Sequence, residues 1–94
     1  MNVRSCRHRG LKRLLEADDD RDLGSNIARR VRNVLTVLLA ARTMNGVVGP
    51  PGWRIHQLSG DRLGYWSISV SGNWRITFRL EDDDILDLDL EDYH

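Results

Sequence analysis

Hydrophobic positions in the first half of the chain recur at helical spacing. Between residues 8 and 17, leucines stand three and four positions apart at Leu11, Leu14 and Leu15, which predicts a short amphipathic helix. The acidic run 18–20 ends it, and Gly24-Ser25 offers a turn and an N-cap for a second, longer helix. The apolar stripe of the second helix has the spacing of one buried face and consists of Ile27, Val31, Val34, Leu35, Leu38 and Leu39.

The second half of the chain alternates with a period of two, which is typical of half-buried strands. Glycine- and proline-rich loop signals at 45–46 and 49–52 separate it from the helical half. The predicted strands cover residues 53–58, 65–70, 73–80 and 85–90, and residues 2–6 are a further candidate edge strand. A three-residue loop at 71–73 pairs Val70 with Trp74 and sets the register of the first hairpin. The residues predicted to face inward are Trp53, Ile55, Trp66, Ile68, Val70, Trp74, Ile76, Phe78, Leu80, Leu86, Leu88 and Leu90.

Helices come first and strands follow, so the predicted class is α+β. We expect two N-terminal helices packed on one face of a four- to five-stranded, mainly antiparallel sheet. A chain of 94 residues supports one hydrophobic core, so residues 1–94 are expected to form a single domain. The sequence has no apolar run of membrane-spanning length and no apolar signal region at its start, so the expected location is the cytoplasm, without membrane contact.

A formal net charge of zero conceals two oppositely charged parts. Residues 1–79 hold all fourteen Lys and Arg and six acids, a net of +8, whereas residues 80–94 hold eight acids and no base, a net of −8. A basic body of this size suits a polyanion such as RNA, because neutralising phosphates releases counterions. The alternative is that the acidic end folds back and pairs with it.

The face of the sheet opposite to the inward residues carries polar groups. The first hairpin should place Ser69, Ser67 and Tyr65 opposite Arg75, Thr77 and Arg79, while Arg54 and His56 face the same way from residues 53–58. Taken alone, the pattern favours pairing of Arg75 and Arg79 with Asp87 and Asp89 across the second hairpin, each exposed pair contributing less than about 1 kcal/mol.

Three stretches resemble the HigB toxins of the RelE/ParE superfamily: WRIHQLSGDRLGYWSISV at 53–70, GNWRITFR at 72–79 and the final Glu91-Asp92-Tyr93-His94. The opening His8-Arg9-Gly10-Leu11-Lys12 and the two helices extend the resemblance over the whole chain. It implies a RelE-like fold and the toxin half of a type II toxin-antitoxin system, a ribosome-dependent mRNA endonuclease that inhibits translation. The implied partners are a HigA-like helix-turn-helix antitoxin, the ribosome and mRNA, with DNA met only through the antitoxin. No cofactor and no metal are implied.

The resemblance also implies a set of site residues. His56, Asp92, Tyr93 and His94 would surround the scissile phosphate, with Arg75 as its ligand and Arg54 and Arg62 as further candidate cations. Attack of a 2′-hydroxyl on the adjacent phosphate needs a base, an acid for the leaving 5′-oxygen and positive charge, and imidazoles titrate near neutral pH. Which histidine is the acid stays open.

One position departs from the family pattern. Where the family commonly has a lysine three residues after the histidine, this chain has Ser59. Ser59 supports the alternative of a catalytically weakened toxin-fold protein that acts mainly by holding an antitoxin. A gyrase-inhibiting toxin like the ParE branch of the same fold is the other alternative. On the long helix, Arg29, Arg30 and Arg32 lie off the apolar stripe and serve either solvation or contact with RNA.

Overall fold

Two helices and a four-stranded sheet make up the fold, as predicted from the order of the elements. The computed structural model describes residues 1–92. Helices α1 (Arg9–Ala17) and α2 (Ser25–Ala40) precede strands β1 (His56–Gln57), β2 (Tyr65–Ser69), β3 (Trp74–Glu81) and β4 (Asp84–Asp92), with 3₁₀ turns at Met44–Gly46, Pro51–Trp53 and Gly60–Arg62. The strands lie in the order β1-β2-β3-β4, each antiparallel to its neighbour.

Helix α1 begins and ends within one residue of the predicted range 8–17. Its ends are set by hydrogen bonds of a side chain and of the backbone. At its start, Nδ1 of His8 accepts hydrogen bonds from the backbone N–H groups of Gly10 (3.0 Å) and Leu11 (3.2 Å). At its end, Asp18 adopts the left-handed conformation (φ 54°) and its N–H donates to the carbonyl of Leu14 at 2.9 Å. The acidic run therefore ends the helix, as predicted.

The hydrophobic core lies between the helices and one face of the sheet. Leu11, Val31 and Leu38 from the helices are fully buried, as are Ile68, Ile76 and Phe78 from the sheet. The alternation in β2 and β3 thus directs one set of side chains toward the helices, which leaves the opposite face for polar groups. We call that opposite side the outer face.

The register of the first hairpin is the predicted one. Val70 donates its N–H to the carbonyl of Trp74 at 2.9 Å. The cross-strand partners that follow are Ser69 with Arg75, Ser67 with Thr77, and Tyr65 with Arg79. The turn length sets all three pairs, and a slip of one residue would turn every inward side chain to the other face of the sheet.

The strand predicted at 53–58 is much shorter in the structure, where only His56–Gln57 pair with β2. The dihedral angle φ of proline suits a tight turn, and Pro51 begins a 3₁₀ turn that includes Trp53. Arg54 then adopts a left-handed conformation (φ 48°), so the backbone is not extended before residue 55.

The prediction that Leu86 faces inward is wrong, because β4 contains a bulge. The register between β3 and β4 shifts between Thr77 and Arg79, and Asp87 has φ 53°. An extra residue reverses the alternation on one side of the bulge. Ile85 is therefore fully buried in the core, whereas Leu86 lies opposite Arg79.

The segment predicted as an edge strand at 2–6 runs parallel to β4 but forms isolated bridges only. Val3 pairs with Ile85, and Cys6 pairs with Leu88. The bulge at Asp87 lies between these two contacts, so a continuous ladder cannot form there. No helix within residues 1–92 has the length and the apolar character needed to cross a membrane.

Candidate active site

Polar side chains of the outer face stand in two rows across the sheet. One row joins His56 of β1, Ser67 of β2, Thr77 of β3 and Asp89 of β4 by register. The next row joins Ser69, Arg75 and Glu91. Ser67 and Thr77 are 1% and 0% exposed although they lie on the side away from the helices. Other polar side chains of the outer face therefore cover Ser67 and Thr77 and shield them from solvent.

Glu91 is the centre of that polar cover. Arg62 reaches it from the β1–β2 connection and donates two hydrogen bonds, from Nη1 to Oε1 at 3.1 Å and from Nη2 to Oε2 at 2.7 Å. The hydroxyl of Thr77 also donates to Oε2, and Nη2 of Arg75 lies 3.7 Å from Oε1. The hydrogen bonds from Arg62 are the first cause that lowers the pKa of Glu91 from 4.5 to about 2.

A second ion pair on the same face involves Asp87 at the bulge. Nε of Arg79 donates to Oδ2 of Asp87 at 2.8 Å, and the hydroxyl of Tyr65 donates to the same oxygen at 3.3 Å. The contact with Arg79 is the main cause that lowers the pKa of Asp87. The guanidinium of Arg62 lies 4.8 Å from the centroid of the Tyr65 ring, so the aromatic ring links the two clusters.

The predicted pairing of Arg75 and Arg79 with Asp87 and Asp89 is thus confirmed for one of the two arginines. Arg79 binds Asp87 as predicted, but the carboxylate beside Arg75 belongs to Glu91. Asp89 accepts a hydrogen bond from the N–H of Leu90 at 2.9 Å. The shift comes from the bulge, which changes which acidic residue of β4 faces each arginine of β3.

His56 lies at the β1 edge of the outer face with an exposed side chain. Its Nδ1 is 2.5 Å from the carbonyl oxygen of Arg54. A carbonyl can only accept, so Nδ1 must carry the proton of this hydrogen bond. In the neutral ring, Nε2 is consequently the basic nitrogen.

The remaining members of the predicted catalytic set lie at the other end of the sheet or outside the described residues. Asp92 is exposed at the end of β4, opposite Trp74, whereas His56 belongs to the opposite edge strand. Tyr93 and His94 lie outside residues 1–92. Ser59, at the position of the family's lysine, is exposed at the start of the 3₁₀ turn Gly60–Arg62.

The three arginines of α2 have different surroundings. Arg32 pairs with Asp18 (Nη1 to Oδ1, 2.5 Å) and with Asp20 (Nε to Oδ2, 3.5 Å). Nη1 of Arg30 donates to the carbonyl of Val70 at 3.3 Å, next to Arg54 and the β2–β3 hairpin. Arg29 is exposed and borders a groove near Asp20 and Leu23. Arg29 and Arg32 border the same groove, whereas Arg30 lies at the β2–β3 hairpin, so the three do not form one surface.

Sequence reasoning missed Glu91, which it treated as part of a fraying end. The predicted strand stopped at residue 90, but β4 continues to Asp92. The available signal was the extension of the leucine alternation by one more step, which places Glu91 on the outer face next to Arg75.

Comparison with known proteins places these features in a family. The model of the HigB-like toxin family, described as RelE-like toxins of type II toxin-antitoxin system HigB, matches residues 4–94. A curated relative named Endoribonuclease HigB, from Proteus vulgaris, is 38% identical over 92 residues, which cover 98% of this chain and 99% of the relative.

Two solved structures share the fold at low sequence identity. The YoeB dimer of Staphylococcus aureus has a TM-score of 0.62 and 14% identity, and the match covers 100% of this chain and 97% of that one. A chain of the E. coli DinJ-YafQ complex has a TM-score of 0.61 and 16% identity, over 94% of this chain and 89% of that one. The fold is therefore that of RelE-like toxins, and the chain belongs to the HigB-like family of type II toxin-antitoxin toxins.

Proposed function

We propose that this toxin is an endoribonuclease that cleaves mRNA on the ribosome and thereby inhibits translation. The proposal is supported by 38% sequence identity, over nearly the full length, with a relative named an endoribonuclease. Its chemical support is His56, whose hydrogen bond to the Arg54 carbonyl presents Nε2 as the basic nitrogen on an exposed sheet edge. This observation supports an enzyme, since a protein that acts only by binding has no need of an oriented imidazole.

The proposed reaction is attack of the substrate's own 2′-hydroxyl on the adjacent phosphate. Nε2 of neutral His56 would accept the hydroxyl proton, while a second group would protonate the leaving 5′-oxygen. The candidates for that second group are Tyr93 and His94 of the terminal set, because Asp92 lies opposite Trp74 on the edge strand away from His56. Tyr93 could alternatively stack on a base of the single strand.

The candidate phosphate ligands differ in how far their charge is already compensated. Both Nη atoms of Arg62 are bound by Glu91, so its charge is neutralised locally, and Arg75 shares the same carboxylate. Arg54 makes no ion pair among residues 1–92 and lies two residues from His56. We therefore propose that Arg54 contacts the RNA backbone next to His56, with Arg75 and Arg62 acting mainly on the shape of the outer face.

The proposed partners follow from the family. YafQ in the related structure is in complex with DinJ, and we propose that this toxin is held by a HigA-like helix-turn-helix antitoxin, through which alone it meets DNA. Ribosomes and mRNA would be its targets in the cytoplasm. The acid-base route needs no metal or other cofactor.

The proposal is tested by mRNA cleavage in the presence of ribosomes. We expect His56→Ala to lower the cleavage rate by about 10²- to 10⁴-fold, the usual contribution of a general acid or base. The matched control is Gln57→Ala, the exposed neighbour in the same short strand, which should cleave like wild type. Undiminished cleavage by His56→Ala would refute the role of His56.

A second arm addresses the departure at residue 59. Ser59→Lys adds a cation at an exposed position three residues from His56, so we expect faster cleavage. If the wild type cuts no mRNA on ribosomes but inhibits DNA supercoiling by gyrase, the nuclease proposal fails and the ParE-like alternative replaces it.

A further inference from the structure

A cavity opens where α2, the Pro51–Trp53 turn and the β2–β3 hairpin meet. It consists of two adjoining hollows of about 200 Å³ and 290 Å³, both bordered by Arg30, Gly52, Ser69 and Val70. Trp53 and Asn33 complete the wall of the first hollow, and Arg54, Ser71 and Gly72 complete the second, while Val34 lies at the base. The lining thus combines two guanidinium groups, two hydroxyls and an indole ring.

The charge of this cavity is uncompensated. Eight arginines of the described chain are paired with carboxylates, but Arg30 and Arg54 make no ion pair within residues 1–92. None of the lining residues is acidic. Two guanidinium groups that border one cavity without a carboxylate beside them attract an anion.

Both arginines are tied to the framework through backbone contacts. Nη1 of Arg30 donates to the carbonyl of Val70 at 3.3 Å, at the base of the β2–β3 hairpin. The backbone of Arg54 is fixed in a left-handed conformation, and its carbonyl accepts the hydrogen bond from His56. The cavity is therefore positioned relative to His56 by direct contact.

We propose that this cavity binds a backbone phosphate of the RNA strand next to the linkage that is cut. The proposal rests on the proposed nuclease function. Ser69 is two residues along β2 from Ser67, the register partner of His56, which corresponds to about 6.6 Å of strand. That step is comparable with the length of one extended nucleotide, so a strand at His56 reaches the cavity with its neighbouring phosphate. Trp53 provides an aromatic surface for the attached base.

The test measures binding of the full chain to a short single-stranded RNA made uncleavable by 2′-O-methylation, using fluorescence anisotropy at several salt concentrations. We expect the double variant Arg30→Gln with Arg54→Gln to bind about tenfold more weakly. Losing two phosphate contacts should reduce the slope of log K against log salt by about 1.4 for a single strand. Equal affinities and slopes for wild type and double variant would overturn the proposal.

Two further variants separate binding from folding. Arg42→Gln removes another exposed arginine that makes no ion pair within the described chain and borders neither hollow, so it should bind like wild type. The double variant Arg30→Lys with Arg54→Lys should retain most of the wild-type affinity and most of the slope of log K against log salt, because phosphate binding needs the positive charge. A lysine variant as weak as the glutamine variant, at unchanged thermal stability, would contradict a charge-based site.

Failure of this inference is distinguishable from failure of the proposed function. If wild type cleaves mRNA and the glutamine variant binds and cleaves equally well, the cavity is not a phosphate site and the nuclease proposal stands. If the glutamine variant loses RNA binding while wild type cuts no mRNA on ribosomes, the cavity stands as an RNA phosphate site without a neighbouring cut, and the nuclease proposal falls.

Discussion

Glu91 shows how one carboxylate organises the outer face. It accepts two hydrogen bonds from Arg62 and one from Thr77, and its side chain is 22% exposed. Because Arg62 comes from the β1–β2 connection and Thr77 from β3, the contacts join these two parts of the fold to β4, the strand that leads into the terminal residues. Glu91 therefore holds β4 in place immediately before Asp92.

The low pKa of Glu91 predicts a specific dependence of stability on pH. Its folded-state pKa of about 2 lies below the ordinary 4.5, so its contribution is complete above about pH 4.5 and is lost as the pH falls toward 2. We expect Glu91→Gln to lower the free energy of unfolding at pH 7 by about 2 kcal/mol, since hydrogen bonds to charged groups contribute about 1.5–3 kcal/mol. Urea unfolding at pH values from 7 to 2.5 measures the gap between wild type and variant, which should narrow below pH 4.5.

The control for this prediction is Asp83→Asn. Asp83 is exposed and makes no ion pair among residues 1–92, and asparagine tolerates its left-handed conformation of φ 64°. The control should follow the wild-type curve. A gap between wild type and Glu91→Gln that stays constant down to pH 2.5 would contradict the assignment to Glu91.

Gly49 is required by the side chain that packs on it. A Cβ at residue 49 would lie 2.2 Å from Cε3 of Trp53. We expect Gly49→Ala to push the indole away and to destabilise the fold by about 1–3 kcal/mol, as overpacking usually does. Gly52→Ala, in the same loop with no atom within 4 Å of the added carbon, is the matched control. Thermal unfolding compares them, and equal melting temperatures would disprove the packing argument.

At the scale of elements, hydrophobic spacing predicted what depends on burial and missed what depends on backbone geometry. The pairing of Ser67 with Thr77 follows from alternation and turn length, so it could be derived from the sequence. The bulge at Asp87 could not, because Ile85 and Leu86 are both hydrophobic and either one satisfies a pattern of alternating residues. The contact between Glu91 and the arginines was missed for another reason, because the predicted strand ended at residue 90 whereas β4 continues to Asp92.

The left-handed backbone at the bulge predicts which substitutions of Asp87 the fold tolerates. Asp87 has a left-handed backbone (φ 53°), and its side chain binds Arg79 and Tyr65. Asp87→Gly and Asp87→Ala both lose the side-chain contacts, but only alanine adds left-handed strain of about 1 kcal/mol. We therefore expect the glycine variant to unfold at a higher urea concentration than the alanine variant, although glycine usually weakens a strand. The reverse order would show that the bulge does not persist without the aspartate.

At the scale of the whole molecule, the two oppositely charged parts of the sequence neutralise each other in part. Arg4 pairs with Glu81 and Asp84, Arg7 with Asp87, and Arg62 with Glu91. The pairing that the composition left open as the alternative is therefore observed. The acidic strand folds back on the basic body, and part of the positive charge remains available. Within residues 1–92 the cations that make no ion pair are Arg9, Lys12, Arg29, Arg30, Arg42 and Arg54.

This division of charge predicts the salt dependence of RNA binding by the whole protein. A cation already neutralised by a carboxylate releases no net counterion from RNA, because its carboxylate must be displaced first. With about 0.7 counterions released per phosphate contact on a single strand, the six unpaired cations limit the slope of log K against log salt to about −4. Engagement of all fourteen cations would instead give a slope near −10. Anisotropy titrations of single-stranded RNA between low and moderate salt distinguish these values, and a slope much steeper than −4 would mean that RNA opens the ion pairs of the outer face when it binds.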